Sequence, residues 1–141
     1  MTIQRYEWLY LANATVLLAH QIDAAYWHEW ELFGMPGGIQ LNVLLNLPII
    51  LLILWGLRAL AIRRTAGFVV AWLLVAAGLF AACIHSFFLL RGDESFTLPV
   101  SLALLIATSI LSPLQAAALW QTSASHRYDR RHPTSQKSAP P

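Results

Sequence analysis

Three stretches of this sequence contain no Asp, Glu, Lys or Arg: Leu32 to Leu57, Thr65 to Leu90 and Ser95 to His126. Each is longer than the roughly 20 residues that carry a helix across the hydrocarbon core of a bilayer. Inside lipid a backbone must satisfy its own hydrogen bonds, so each stretch is expected as a helix. A chain of 141 residues has little length left for anything else. Its charged residues amount to 11%, less than half of the quarter or so usual in soluble domains.

A fourth segment, Tyr6 to Trp27, is long enough to span but carries Asn13, His20, Gln21 and Asp23. Glu7 lies where a cleaved leader would be basic, and Asp23-Ala24-Ala25 lacks the small residue that opens a cleavage site, so this segment is expected to stay in the protein. The reading is all-α: one four-helix transmembrane bundle over residues 1–121, with helices near 6–27, 39–62, 66–90 and 97–120. Residues 122–141 are rich in Ser, Pro, His and Arg with almost no aliphatic side chains. They are expected as a mobile tail whose basic cluster, HRYDRRH, touches anionic headgroups or simply anchors the topology.

Lys and Arg collect on the cytoplasmic side of membrane proteins. With four spans and the N-terminus inside, all of them except Arg91 fall inside, while Asp23, Glu29, Glu31, Asp93 and Glu94 fall outside. Trp8, Trp55, Trp72 and Trp120 then mark the inner interface, and Trp27 and Trp30 the outer one. The expectation is an N-in, C-in protein of a bacterial-type inner membrane with a cytoplasmic tail. The lipid bilayer is its first partner, a membrane protein or a second copy of the chain a further one. No nucleic-acid motif is present.

Helical spacing sorts the polar residues. At 100° per residue, Asn13, His20 and Asp23 share one face of the first helix, and Glu31 joins them if that helix runs on. His28 and Glu29 then point toward the headgroups. The last helix carries a stripe of Thr97, Ser101, Thr108, Ser112 and Gln115, the second offers Asn42 and Asn46, and the third offers Gly78, Ala82 and His85. Counted from the outer ends, His20, His85, Asn42, Asn46, Thr97 and Ser101 fall in one layer about 5 to 12 Å deep at 1.5 Å per residue. A bundle turns such groups inward, because a charge facing lipid costs roughly 2.5 to 3.5 kcal/mol. The expected object is a polar pocket near the outer face.

Two histidines with one or two carboxylates suffice to hold Zn, Mn or Fe(II). His20, Asp23 and His85 are the candidate ligands, Glu31 the candidate general base, and Asn42 and Asn46 the supporting shell. An open coordination position would hold an activated water. The same residues also suit an inert hydrogen-bonded packing network, proton or substrate handling without metal, or a haem between His20 and His85. A ferritin-type dinuclear centre needs more buried acids than this chain has. The single Cys83 excludes an internal disulfide and faces away from His85 on a helix.

The segment HQIDAAYWHEWELFGMPGG, followed by apolar spans and the later His85, resembles the small bacterial membrane proteins typified by an HXXEE motif. It is closer still to relatives with an H-x-x-D-x-x-x-W-x-E-W pattern. His20 matches the motif histidine, Asp23 its first acid and Pro36-Gly37 its Pro-Gly pair, while Ala24 stands where the second acid would be. The resemblance implies an integral membrane protein of unknown function and supports a site without naming a reaction. Two readings stand: a metal-dependent enzyme acting on a lipid-phase substrate, and a non-catalytic accessory subunit built around a polar packing network.

Overall fold

The computed structural model describes residues 4–131, with side chains as far as Thr122. Its elements are α1 (Arg5–Tyr26), α2 (Glu29–Leu32), α3 (Gly38–Ala61), α4 (Thr65–Leu90) and α5 (Pro99–Arg131). No strand occurs among the described residues. Among the described residues the outcome is five helices, four of them long and α2 a single turn, against the four expected. By length and composition α3, α4 and Pro99–Thr122 of α5 can cross a membrane, and α1 is not among them.

Local chemistry explains the ends. The Gln4 backbone N–H donates to Glu7 Oε2 at 2.9 Å, half of a capping box, and the Glu7 carboxylate sits where the helix dipole favours an anion. His28, at φ 53°, breaks α1 from α2. Between α2 and α3 the chain turns at Pro36 and Gly37, whose φ of 94° suits a residue without a Cβ. Pro99 opens α5 at the helical position where a missing N–H costs least. The backbone of α5 stays helical to Arg131, past the boundary at 122 expected from composition, since no Gly or Pro interrupts it between there and Pro133. The rest of the expected tail, 132–141, lies outside the described residues.

α5 packs against α1 and α4, α3 packs against α4 and more lightly against α1, and α1 meets α4 across the short diagonal. Tyr10, Leu60, Leu74, Val75 and Leu119 fill the middle, and the Tyr10 hydroxyl ties α1 to α3 by donating to the Ile53 carbonyl at 2.7 Å. Gly78 lets α4 and α5 approach closely, as any Cβ there would collide with the Ser112 hydroxyl.

Apolar side chains cover the exterior, among them Leu47, Leu51 and Leu54 of α3, Phe80 of α4 and Ile106 and Ile110 of α5. So much exposed apolar surface is foreign to a water-facing monomer and suited to lipid. α1 follows the same rule despite its composition. It turns Trp8, Leu11, Ile22 and Tyr26 outward and Asn13 and His20 inward. Its outward Thr15 spends its hydroxyl on the Leu11 carbonyl.

Candidate metal centre

A polar column runs inside the bundle from the end where α1 and α4 finish and α3 and α5 begin. In its middle, Asn13 Nδ2 donates to Gln115 Oε1 at 2.8 Å, Ser112 Oγ donates to Asn13 Oδ1 at 3.3 Å, and Gln115 Nε2 donates to the Ala71 carbonyl at 3.1 Å. All three side chains are fully buried. They link α1, α4 and α5 in a closed network with no ionisable member.

Two turns further along α1 the character changes. His20 and His85 are buried, with their Nε2 atoms 3.2 Å apart and their rings nearly perpendicular. Glu29, on the single turn α2, brings Oε1 to 3.2 Å from His85 Nε2. One potential ligand atom from each of the three residues lies within 4.8 Å of the others. Neither Nδ1 atom has a partner among the described residues.

One ring nitrogen has a single in-plane direction, used either by a proton or by a lone pair. His85 Nε2 therefore cannot donate to Glu29 and also accept from His20. A lone proton there is at best shared in a three-centre bond. A cation accepts all three atoms at once. With metal–ligand distances of 2.0–2.1 Å, neighbouring ligands of a tetrahedral ion stand about 3.3 Å apart, and two edges of this triangle measure 3.2 Å.

Phe96 covers the pair from the α4–α5 connection. Its ring centroid lies 4.1 Å from that of His85 and 5.6 Å from that of His20, and Trp27 packs against it at 6.0 Å. Phe96 is fully buried and holds a left-handed backbone, φ 62°, uncommon for an aromatic residue.

The other residues expected at the site lie around this cluster without joining it. Asp23 Oδ1 accepts from Ser101 Oγ at 2.9 Å, and Ser101 Oγ accepts in turn from Trp27 Nε1 at 3.1 Å, while Asp23 Oδ2 is buried without a partner among the described residues. Glu31 is exposed, its Oε1 3.8 Å from His28 Nδ1. Asn46 Nδ2 donates to the Asn42 carbonyl on its own helix at 2.9 Å, and both residues line a groove between α1 and α3 apart from the histidines. Thr97 is exposed and donates to the Glu94 carbonyl, outside the stripe expected for it. Glu29 and Phe96 are the residues that sequence reasoning did not place at the site.

A cleft of about 190 Å³ between α1, α3 and α4 reaches His20, Gln21 and Glu29, and its other walls are aliphatic or aromatic.

Apolar-sided helices around a buried polar column define a helical membrane protein. The chain belongs to DUF6713, a family of unknown function, whose family model matches residues 6–122. Comparison with curated proteins and with solved structures returned no match.

Proposed function

We propose that this protein is a four-span membrane enzyme built around one divalent metal ion held by His20 Nε2, His85 Nε2 and Glu29. The observation that carries the reading is the shared approach to His85 Nε2: His20 and Glu29 both reach it at 3.2 Å, and a single proton does not serve both well. Two histidines and one glutamate with an open position are the ligand set of catalytic zinc sites. Two histidines and one carboxylate are equally the facial triad of non-haem Fe(II). In either case the ion acts on an oxygen function of its ligand or on a bound water. Glu29 supports a bare ion over a haem, whose plane would have to pass between the two imidazoles.

In this reading α1 is the fourth span, because its polar groups point inward and its outer face is apolar. The N-terminus and tail lie in the cytoplasm of a bacterial-type inner membrane, and the site lies near the outer face. Kinship with HXXEE-type proteins belongs to the same proposal, with Glu29 supplying the acid that Ala24 does not. Asp23, held by Ser101, orients the end of α1.

The competing reading is a non-catalytic subunit, supported by the closed Asn13–Gln115–Ser112 network. Elemental analysis of the detergent-purified protein decides between them. About one Zn, Fe or Mn per chain, lost in His20→Ala/His85→Ala, is the expected result. Absence of stoichiometric metal in the wild-type protein would leave the histidines as packing groups, and a Soret band would redirect the site to haem.

A further inference from the structure

The cleft that reaches His20 and Glu29 has a polarity gradient along its length. His20, Gln21 and Glu29 lie at one end, while Leu17, Ile53 and Leu74 line the part nearer the middle of the bundle. From Ile84 to Leu74 of α4 this is about 15 Å at 1.5 Å per residue. Phe96 and Trp27 close the bundle end over the rings. The side toward lipid is different. α3 buries no residue before Ile53, and its Ile49 and the Phe80 of α4, both cleft residues, are exposed on the apolar exterior. Access therefore runs sideways, from the acyl region of the membrane between α3 and α4.

We infer that the ligand of this site is a single-chain lipid with a carboxylate head, a long-chain fatty acid or the acyl product of a lipid reaction. Charge selects the head: within its ligand shell a divalent ion with one glutamate and two neutral imidazoles keeps one net positive charge, which one carboxylate at the open position neutralises, while Asp23 is tied to Ser101 outside that shell. Orientation follows from the gradient. The head lies at the bundle end and the chain points to the mid-plane, as for a lipid already resident in that leaflet. The cleft holds the head and first carbons, and the remaining chain stays in the bilayer beside Ile49 and Phe80. Lipid tails offer no hydrophobic gain on entering such a cleft, so the head contact sets the affinity. The role of the head rests on the metal reading above; the cleft and its lateral mouth do not.

The test uses the full chain in phosphatidylcholine/phosphatidylglycerol vesicles with a diazirine-bearing hexadecanoic acid, irradiated and mapped by mass spectrometry, with metal content measured on the same sample. Adducts are expected around Ile49 and Ala77–Ala81, displaced by hexadecanoate and not by hexadecyltrimethylammonium. Ala81→Phe, which fills the cleft and excludes the chain next to the head, should lower this labelling about tenfold. Ser109→Phe, on the lipid-facing side of α5, should leave it unchanged. Labelling spread evenly over every lipid-facing helix, or unaffected by Ala81→Phe in a folded protein, overturns the inference. Displacement by the cationic amphiphile as readily as by hexadecanoate overturns the carboxylate assignment. Metal at full stoichiometry without cleft labelling refutes the lipid ligand alone, whereas cleft labelling without metal supports the lateral cleft and refutes both the metal centre and the metal-held head.

Discussion

Gln115 is where the interior polarity is most open to a quantitative test. Its side chain is fully buried, accepts from Asn13 of α1 at 2.8 Å and donates to the Ala71 carbonyl of α4 at 3.1 Å. Leucine at this position keeps the approximate volume and removes both bonds. Interhelical hydrogen bonds in membrane proteins average about 0.6 kcal/mol and reach about 1.7, so two contribute about 1.2 kcal/mol at the mean. Gln115→Leu also leaves Asn13 Nδ2 buried and unpaired, which costs about 1–3 kcal/mol. The expected loss is about 2–4 kcal/mol. Removing both partners removes that second penalty, so Asn13→Leu/Gln115→Leu should be less destabilised than the sum of the single variants by about 1 kcal/mol. SDS-induced unfolding in bicelles, followed by fluorescence of the six tryptophans, measures all four proteins. A Gln115→Leu cost below about 0.5 kcal/mol, or strictly additive single-variant costs, would refute a coupled network and leave these residues as independently tolerated polar groups.

The proposed centre distinguishes two neighbouring acids. Glu29→Gln should weaken metal binding by at least the 10- to 100-fold typical of outer-shell losses, and Glu31→Gln should leave it unchanged; competition with a chelator reads both, and equal effects would put the wrong acid at the ion. Both imidazoles must be neutral to bind, so protons compete with the metal. Occupancy should fall on acidification with proton uptake accompanying ion release, and a proton count of zero by calorimetry in buffers of different ionisation enthalpy would remove the histidines from the coordination sphere. In the α4–α5 connection, the Ser95 side chain and then its backbone N–H, the latter 2.8 Å from Oδ1, hold Asp93 below its ordinary carboxyl pKa. A depressed folded pKa stabilises above the unfolded value and is lost as pH falls through the folded one. NMR titration should therefore give a low midpoint for Asp93 that rises in Ser95→Ala, and an unmoved midpoint would discard the hydrogen bond as the cause.

How far the site can be read from sequence depends on where helical periodicity stops. Within α1 the period of 3.6 places Asn13 and His20 on the buried face, and the lone polar groups of α4 and α5 likewise locate His85, Ser101, Ser112 and Gln115 inside. The uncharged runs locate three apolar helices for an equally simple reason: continuous apolar runs of this length suit a helix that satisfies its own backbone in lipid, whereas barrel strands are about half as long. Periodicity carries nothing past Tyr26. His28, in the left-handed region, resets the phase, so Glu31, three turns beyond His20 on a continuous helix, turns to solvent and Glu29 turns back toward His85. Phe96 escapes for the same reason, lying in a connection with its own left-handed backbone. Asn42 and Asn46 miss the site for a different one: the first half of α3 buries no residue, so Asn46 Nδ2 turns back to Asn42 on its own helix and does not reach the histidines. Glu29 did leave one trace in the sequence. The pattern H-x-x-D-x-x-x-W-x-E-W contains it by position, next to Trp30, which is buried. A spacing that fits no helix, strand or turn period, yet brings a histidine and an acid to one place, is what a broken helix at a site produces. In this chain the break at His28 is what allows α2 to return a carboxylate to a pair of histidines that a straight α1 would carry past it.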